Sequence, residues 1–245
     1  MSEPTLSIII PAWNEEKYIG RTLDSLKRAV ACYERQRRAT AEIIVVDNNS
    51  SDRTAAVARE HGAQVVFEPV NNIGKARNAG ARAARGKFIA FCDADNQVTE
   101  NIFCCIHDHL SDPRIVGGGT WIQPEKRNLK ITFFYTLWHI YVTFSRVGVG
   151  VMHCRKEDFD AIGGYDEEIY AAEDLQLAYD LRKIGKPRGQ KFNLLKDCWI
   201  ITSTRKLDQG HFLELFAKMI GFGFGLQKKI RNKDYCEHWY EKAAR

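Results

Sequence analysis

The chain has 245 residues, of which 44% are hydrophobic and 27% are charged, and its formal net charge is +5. This length and composition are typical of a globular chain with one sizeable core, and they exclude a fibrous or intrinsically disordered protein. The small excess of positive charge is too weak to indicate nucleic-acid binding, although it is compatible with anionic substrates or an anionic membrane surface.

The cysteines and the first ten residues bear on the cellular compartment. The seven cysteines form no CxxC pair. Their odd number predicts reduced thiols in a reducing compartment. The stretch MSEPTLSIII lacks the basic region and the long apolar core of a secretory signal. We therefore expect a cytoplasmic protein, with peripheral contact at the inner face of a membrane as an open alternative.

The first half of the chain alternates predicted strands and helices. Short apolar runs with little alternation predict strands at 6–10, 42–46, 64–67 and 87–92. Apolar residues at helical spacing predict the connecting helices, and Asn14 is a favourable N-cap for the first of them. This order predicts an α/β fold with a Rossmann-like, mostly parallel sheet flanked by helices. Such sheets bind nucleotides at strand ends and at helix N-termini.

The fourth predicted strand ends in Asp93-Ala94-Asp95. In an extended backbone, side chains two positions apart point to the same side, so both carboxylates would project into the ligand crevice of the sheet. Carboxylate oxygens suit Mg²⁺ or Mn²⁺, whose coordination is completed by phosphate oxygens and water. The alternative is a solvated acidic turn, which a single DxD pattern does not exclude.

The turns after the first two strands show which known modes of nucleotide binding the sequence lacks. The first turn reads PAWNEE, which is neither the GxGxxG of a dinucleotide fold nor a Walker A sequence. Asp47 ends the second strand, where its carboxylate could accept from a base N–H or a ribose hydroxyl. A helix-capping Asx turn at Asp47 is an equally good interpretation.

The second half has weaker patterns. They predict helices at 101–109 and from Glu173 to Gly185, and strands at 115–119 and 198–201. The carboxylates of Glu173 and Asp174 would then lie in the first turn of a helix, where the helix dipole stabilises negative charge.

The most apolar run is 131–144, which is too short to cross a bilayer. As a helix it would have an apolar face and an uncharged polar stripe. The apolar face comprises Phe134, Leu137, Trp138 and Tyr141, and the stripe comprises Thr132, Thr136, His139 and Thr143. The stripe favours a helix packed beside the active site, because a helix that binds a membrane surface usually has a charged face. The alternatives are a surface for a lipid-like acceptor, a membrane or a second subunit.

Several motifs occur together in one order along the chain. They are PAWNEE at 11–16, VVDNNSSDRT at 45–54, NNIGKARNAG at 71–80, FCDAD at 91–95, IGGYDEEIYAAED at 162–174 and TSTRK at 202–206. This combination resembles the family 2 glycosyltransferases, which have the GT-A fold and invert the configuration of the transferred sugar. The resemblance covers about residues 6–211.

The resemblance implies a single glycosyltransferase domain over residues 1–245. Its nucleotide-sugar-binding half is expected at 1–97 and its acceptor half at 98–210. An amphipathic helical tail is expected at 211–245, where several basic residues favour contact with anionic lipid. A homodimer is also left open.

The resemblance also implies roles for the matching residues. Residues expected at the nucleotide-sugar site are Pro11, Ala12, Trp13, Asn14, Glu15, Asp47, Asn49, Gly74, Lys75, Arg77, Asp93, Ala94 and Asp95. Asp95 corresponds to the direct metal ligand, Asp93 to a residue that contacts the ribose or the metal, and His211 to a third metal ligand in some related enzymes. Asp174 corresponds to the catalytic base. Glu173 beside it would help to raise its pKa, and Arg205 could stabilise the departing diphosphate.

The implied reaction moves a sugar from a nucleotide-diphospho-sugar to an acceptor hydroxyl with inversion, using Mg²⁺ or Mn²⁺. UDP is expected as the donor nucleotide ahead of GDP. The acceptor is expected to be a carbohydrate or a lipid-linked molecule, as in the synthesis of cell-envelope polysaccharide or glycolipid. Gln176 and Asp180 stand where many family members have Asp and Arg, which leaves the acceptor open.

Two other functions are alternatives to a glycosyltransferase. A sugar nucleotidyltransferase needs a glycine-rich basic loop after the first strand to hold a triphosphate, and PAWNEE contains no Gly, Lys or Arg. A non-catalytic nucleotide-sugar-binding protein could lose its acidic residues without cost. Because Asp93, Asp95 and Asp174 are all present, the sequence favours an enzyme.

Overall fold

The structure is a computed structural model that describes residues 3–145, 149–170 and 173–204. Arg205, His211 and the predicted tail at 211–245 lie outside the described residues. The helices are α1 (Ile19–Arg37), α2 (Thr54–Glu60), α3 (Ile73–Ala83), α4 (Ile102–Ser111), α5 (Leu129–Ser145), α6 (Lys156–Ala161) and α7 (Glu173–Gly185). The strands are β1 (Leu6–Ala12), β2 (Ala41–Asp47), β3 (Gln64–Phe67), β4 (Phe88–Phe91), β5 (Gln97–Val98), β6 (Ile115–Pro124), β7 (Met152–Arg155) and β8 (Lys191–Thr202).

The eight strands form one sheet in the order β3-β2-β1-β4-β7-β6-β8-β5. The first four pair in parallel, as the sequence predicts. Strand β7 is antiparallel to β4 and to β6, and β6 is parallel to β8. The carboxyl ends of β1, β2 and β4 therefore lie at one edge, where the predicted nucleotide site begins.

Helices cover both faces of the sheet, and alternate residues of β1 pack into the two different cores. Ile8 and Ile10 pack into a core with α1, α2 and α4. Ile9 packs on the other face with α3, α6 and α7. All three side chains are fully buried. A strand that is apolar on both faces reads as a continuous hydrophobic run, which explains why β1 is recognisable in the sequence.

The predicted start of the first helix is wrong. Asn14 does not cap α1, which begins at Ile19. The Asn14 backbone is left-handed, with φ 54°, and its side-chain oxygen accepts from the backbone N–H of Ser51. The Asn14 side chain therefore binds the loop after β2 and does not bind the first turn of α1.

Strand β7 is absent from the sequence prediction because two of its buried residues are polar. His153 is 1% exposed and shares a hydrogen bond of 2.9 Å with His109. The guanidinium of Arg155 donates to the backbone oxygens of Ile115 and Leu110. Local pattern gives no sign of these long-range partners. The predicted strands at 115–119 and 198–201 are present but longer, as β6 and β8.

The apolar run predicted as a helix forms α5. In the predicted polar stripe, Thr132, Thr136 and Thr143 are exposed. His139 differs from these threonines because it is partly buried. Its Nε2–H donates to the Ile122 oxygen at 2.9 Å, and its ring stacks on the ring of Trp121. Among the described residues, no helix is long and apolar enough to cross a membrane.

Gly118 in β6 has little room for a side chain. A Cβ there would lie 2.3 Å from the Asn193 backbone oxygen and 2.7 Å from Cε1 of His109. We expect Gly118→Ala to lower the free energy of unfolding, measured by urea denaturation, by about 1–3 kcal/mol because the strand must shift. Gly20→Ala is the control, because its Cβ would meet only ordinary contacts at 3.4 Å. That change should stabilise helix α1 by about 0.4–1 kcal/mol. Equal effects of the two substitutions would contradict the close approach at β6.

Candidate active site

The loops after β1 and β2 hold each other through side chains. The Asn14 backbone N–H donates to Ser50 Oγ at 3.0 Å, and Asn14 Oδ1 accepts from the Ser51 N–H at 2.8 Å. The Glu15 N–H donates to Thr54 Oγ1 at 2.8 Å, and Glu15 itself is buried. Asn14 and Glu15, both predicted at the nucleotide site, therefore also hold the loop after β1 against the loop after β2.

The end of β1 lies against the end of β2. Pro11, Ala12 and Trp13 are all buried. The Ala12 oxygen accepts from the Asn48 N–H at 2.8 Å. This bond fixes the first turn to the strand that carries Asp47.

Asp47 makes the capping contact that the sequence allowed. Its Oδ1 accepts from the Ser50 N–H at 3.0 Å. Contact of Asp47 with a base or a ribose stays a prediction. Asn49 is exposed and left-handed, with φ 62°.

The N-terminus of α3 is joined to the loop that precedes α7. Asn72 caps α3 by accepting from the Lys75 N–H at 2.9 Å, and its Nδ2 donates to the Glu167 oxygen at 3.0 Å. At Gly74, a Cβ would lie 3.2 Å from the Asp166 oxygen, so glycine permits this close approach. Lys75 Nζ lies 3.9 Å from a carboxylate oxygen of Glu167.

Arg77 is the centre of the site. It extends from α3, is 3% exposed, and donates to carboxylates from two other elements. Nη1 lies 2.6 Å from Glu173 Oε1 and 2.9 Å from Asp174 Oδ1, both in the first turn of α7. Nη2 lies 3.0 Å from Asp93 Oδ1, just after β4. The guanidinium also lies over the Tyr165 ring, 5.0 Å from its centroid. One buried cation thus brings the predicted donor-site carboxylate next to the predicted base.

The Asp174 carboxylate is both perturbed and reachable. Its pKa is raised to about 7 by burial, against the lowering effect of Arg77, and the charges of Glu173 and Asp93 raise it further. The Tyr165 hydroxyl donates to Asp174 Oδ1 at 3.0 Å. The Asp174 side chain remains 28% exposed, whereas that of Glu173 is 10% exposed. Asp174 is therefore the better placed of the two carboxylates to meet a substrate.

Arg77 stays charged in this setting. Burial lowers the pKa of its guanidinium, but the charges of Asp174, Glu173 and Asp93 raise it by more, so it lies well above its ordinary value. The guanidinium of Arg77 therefore stays positively charged throughout the neutral pH range.

The DAD stretch follows β4 and concentrates negative charge. The Asp93 side chain is 49% exposed, and Ala94 is buried, with its oxygen accepting from Thr22 Oγ1 at 2.7 Å. Burial raises the pKa of the neighbouring Cys92 thiol, and the charges of Asp93 and Asp95 raise it further.

The residues after β4 fit a divalent cation. Two carboxylates in an acidic setting supply the hard oxygen atoms that Mg²⁺ or Mn²⁺ prefers. Within 3–145, 149–170 and 173–204, no group of three or more His, Cys, Asp or Glu side chains is arranged to hold a metal. The chemistry of these two carboxylates suits such an ion, and its binding here stays a prediction.

Two residues of the site were not identified from the sequence. Tyr165 lies beneath Arg77 and bonds Asp174. Asn78 fixes that tyrosine, because its Nδ2 donates to the Tyr165 oxygen and its Oδ1 accepts from the Tyr165 N–H, both at 2.9 Å. Both lie inside quoted motifs, which is the signal that could have indicated them.

The sequence was compared with known families and proteins. The family described as "Glycosyl transferase family 2" matches residues 7–145. A relative, "Uncharacterized glycosyltransferase EpsJ" of Bacillus subtilis, is 31% identical over 131 residues. That match covers 51% of this chain and 36% of the relative, so the chain spans about a third of that relative's length.

Solved structures with the same fold are GT-A glycosyltransferases. The mannosyltransferase PcManGT of Pyrobaculum calidifontis, solved with GDP-Man and Mn²⁺, has a TM-score of 0.65 and 20% identity, covering 81% of this chain and 57% of its own. Glucosyl-3-phosphoglycerate synthase of Mycobacterium tuberculosis, solved with Mn²⁺, UDP and glucosyl-3-phosphoglycerate, has a TM-score of 0.60 and 20% identity. That match covers 89% of this chain and 79% of the other. The predicted GT-A fold is confirmed.

Proposed function

Because the chain belongs to glycosyl transferase family 2, we propose that it transfers a sugar from a nucleotide-diphospho-sugar to an acceptor hydroxyl with inversion. The observation that carries the proposal is the Arg77 cluster. Arg77 bonds both Asp93, which follows β4, and Asp174, at the start of α7. A donor-site carboxylate and a base candidate thus share one fixed partner.

In this proposal Asp174 removes the proton from the acceptor hydroxyl. A general base works best when its pKa lies near the working pH, and the pKa of Asp174 is raised to about 7. Tyr165 and Arg77 both donate to Asp174 Oδ1, which orients the carboxylate. The hydroxyl oxygen then attacks the anomeric carbon from the side opposite the leaving diphosphate, which inverts the configuration.

The donor would lie along the carboxyl edge of β1, β2 and β4. Asp47 offers one carboxylate oxygen to the base or ribose. Asp95 and Asp93 would hold Mg²⁺ or Mn²⁺, which when bound neutralises charge on the diphosphate. The proposed roles of Arg205 at the diphosphate and His211 at the metal rest on the family resemblance alone, since both lie outside the described residues.

Calorimetric titration with UDP and GDP, each with and without Mn²⁺, tests the donor site. We expect one of the two nucleotides to bind in a metal-dependent manner, and we expect Asp95→Ala to remove that dependence. Asp24→Ala is the control, because it removes the same charge from an exposed position on α1. If neither nucleotide binds the wild type, or if Asp95→Ala binds as the control does, the donor-site assignment is wrong. Nucleotide binding with no transfer to any acceptor would favour the non-catalytic alternative.

A further inference from the structure

Helix α5 carries large apolar side chains on one side that the rest of the described chain leaves exposed. Leu129, Phe133 and Ile140 are 92%, 59% and 50% exposed. They follow one another at intervals of four and seven residues, which places them on one side of a helix. The exposed Thr136 lies between them on the same side. The described residues contain seven exposed large hydrophobic residues, and three of them lie on this face.

The charges around this face have one sign. Residues 131–145 contain no Asp, Glu, Lys or Arg. At the start of the helix, Lys126, Arg127 and Lys130 are exposed. Glu125, the acid that precedes these residues in the sequence, pairs with Arg21 at 2.7 Å, so its charge is offset. Although α5 lacks the charged face that is usual in a membrane-surface helix, the basic residues at its start can meet anionic head groups while the exposed apolar side chains enter the interface.

The face is too small for a stable dimer. Helix α5 has 17 residues, so it is about 26 Å long at 1.5 Å per residue, and a face about 10 Å wide covers roughly 260 Å². Stable protein interfaces bury about 800 Å² per partner. A bilayer needs no such area, because each inserted side chain adds to the affinity separately.

The opposite side of α5 packs against the rest of the protein. Ile131 and Val142 are buried there. The pKa of the Tyr135 hydroxyl is raised by burial and further by the charge of Asp95.

We propose that the Leu129–Phe133–Ile140 face of α5 and the basic residues at its start bind the surface of an anionic lipid bilayer. The proposal stands on exposure and charge and does not require catalysis. Joined to the proposed transferase function, it places the active site where a lipid-linked acceptor would be presented.

Sedimentation with lipid vesicles tests the proposal on the full chain. The vesicles are phosphatidylcholine alone, or phosphatidylcholine and phosphatidylglycerol in equal parts. We expect binding to the mixed vesicles, weakened by added salt, and little binding to phosphatidylcholine alone. The double variant Phe133→Ser/Ile140→Ser should lower the partition coefficient by at least about tenfold, because two apolar side chains no longer insert.

The matched control is Phe67→Ser/Val70→Ser. Phe67 and Val70 are 60% and 47% exposed, close to the values for Phe133 and Ile140, but lie at the end of β3 and after it. This control should bind vesicles as the wild type does. A second test is the triple variant Lys126→Glu/Arg127→Glu/Lys130→Glu, which should abolish the preference for phosphatidylglycerol.

Other occupants of the face would give different results, and each would overturn the proposal. If the α5 variant binds mixed vesicles as tightly as the wild type, another part of the chain, such as residues 211–245, carries the binding. If the wild type is a dimer by light scattering and the variant is a monomer, a second copy covers the face. If the variant unfolds at a clearly lower temperature than the control, the face is covered by the protein itself. Absence of wild-type binding to either vesicle also refutes it. Nucleotide titration does not depend on any of these outcomes.

Discussion

Replacing Asp174 with Asn is expected to lower the rate of sugar transfer by about 10²–10⁴-fold, which is the usual contribution of a general base. Nucleotide binding should stay unchanged. The amide keeps the shape of the side chain and an oxygen that can accept from Arg77 and Tyr165, which now donate to Asp174 Oδ1. It cannot take a proton from an acceptor hydroxyl. Loss of turnover with intact donor binding would therefore identify the missing step as proton removal.

The pH dependence gives a second measurement of the same role. The folded-state pKa of Asp174 is raised from 3.8 to about 7, so the basic form dominates only above that pH. The wild-type kcat/KM should therefore fall as the pH drops through about 7, approaching tenfold per pH unit, since this ratio reports the free enzyme. In Asp174→Asn this acidic limb should disappear from the residual activity.

A control on the same helix separates catalysis from charge. Asp180 also lies on α7, where it accepts from the Gln176 side chain at 2.9 Å. Asp180→Asn removes the same charge without touching the Arg77 cluster, and it should transfer sugar at a rate close to the wild type. Similar rates in the two variants would show that Asp174 is not the base, and Glu173→Gln would then be the variant to examine.

The parts of this molecule that could be predicted from the sequence are those with local causes. Strand β1 is buried on both faces, so its apolar run is visible without any knowledge of its neighbours. The start of α7 at Glu173 follows from helical spacing. Strand β7 could not be found in this way, because His153 and Arg155 are buried through partners far away in the sequence.

The same distinction holds within the candidate site. The family motifs drew attention to Arg77, Asp93 and Asp174 separately, and the resemblance assigned Arg77 to the nucleotide. No local pattern connects these three residues, because the contacts join positions 16 and 97 residues apart. The structure shows that Arg77 is nearly inaccessible, with a side-chain exposure of 4%. Its described contacts are therefore with the protein's own carboxylates.

This burial makes Arg77 the residue whose loss should most reduce stability. In Arg77→Met, Asp93, Glu173 and Asp174 would face one another without the cation that now lies within 3.0 Å of each. Removing one partner from a buried charge cluster typically costs about 3–5 kcal/mol. We expect a loss of that size in the free energy of unfolding, measured by urea denaturation at about pH 8.

The loss should shrink in acid. Without Arg77, which lowers the pKa of Asp174, that pKa should lie further above its unfolded value, so the folded variant binds more protons than its unfolded chain. Its unfolding free energy then rises as the pH falls, and the deficit relative to wild type should be smaller at about pH 5 than at about pH 8. If the deficit is the same at both values, Arg77 contributes packing and not charge.

Two further substitutions complete the test. Arg53→Met is the control, because it pairs with Glu60 at 2.9 Å while the two side chains are 71% and 58% exposed, and exposed pairs contribute less than about 1 kcal/mol. Arg77→Lys restores the charge but not the planar fork that now reaches Asp93 and α7 together. We expect it to recover part of the stability while transfer stays impaired, because a single ammonium group cannot hold Asp174 and Asp93 in their present relation. Full recovery of transfer by lysine would mean that the site needs only a positive charge there, and that the geometry of the guanidinium does not matter.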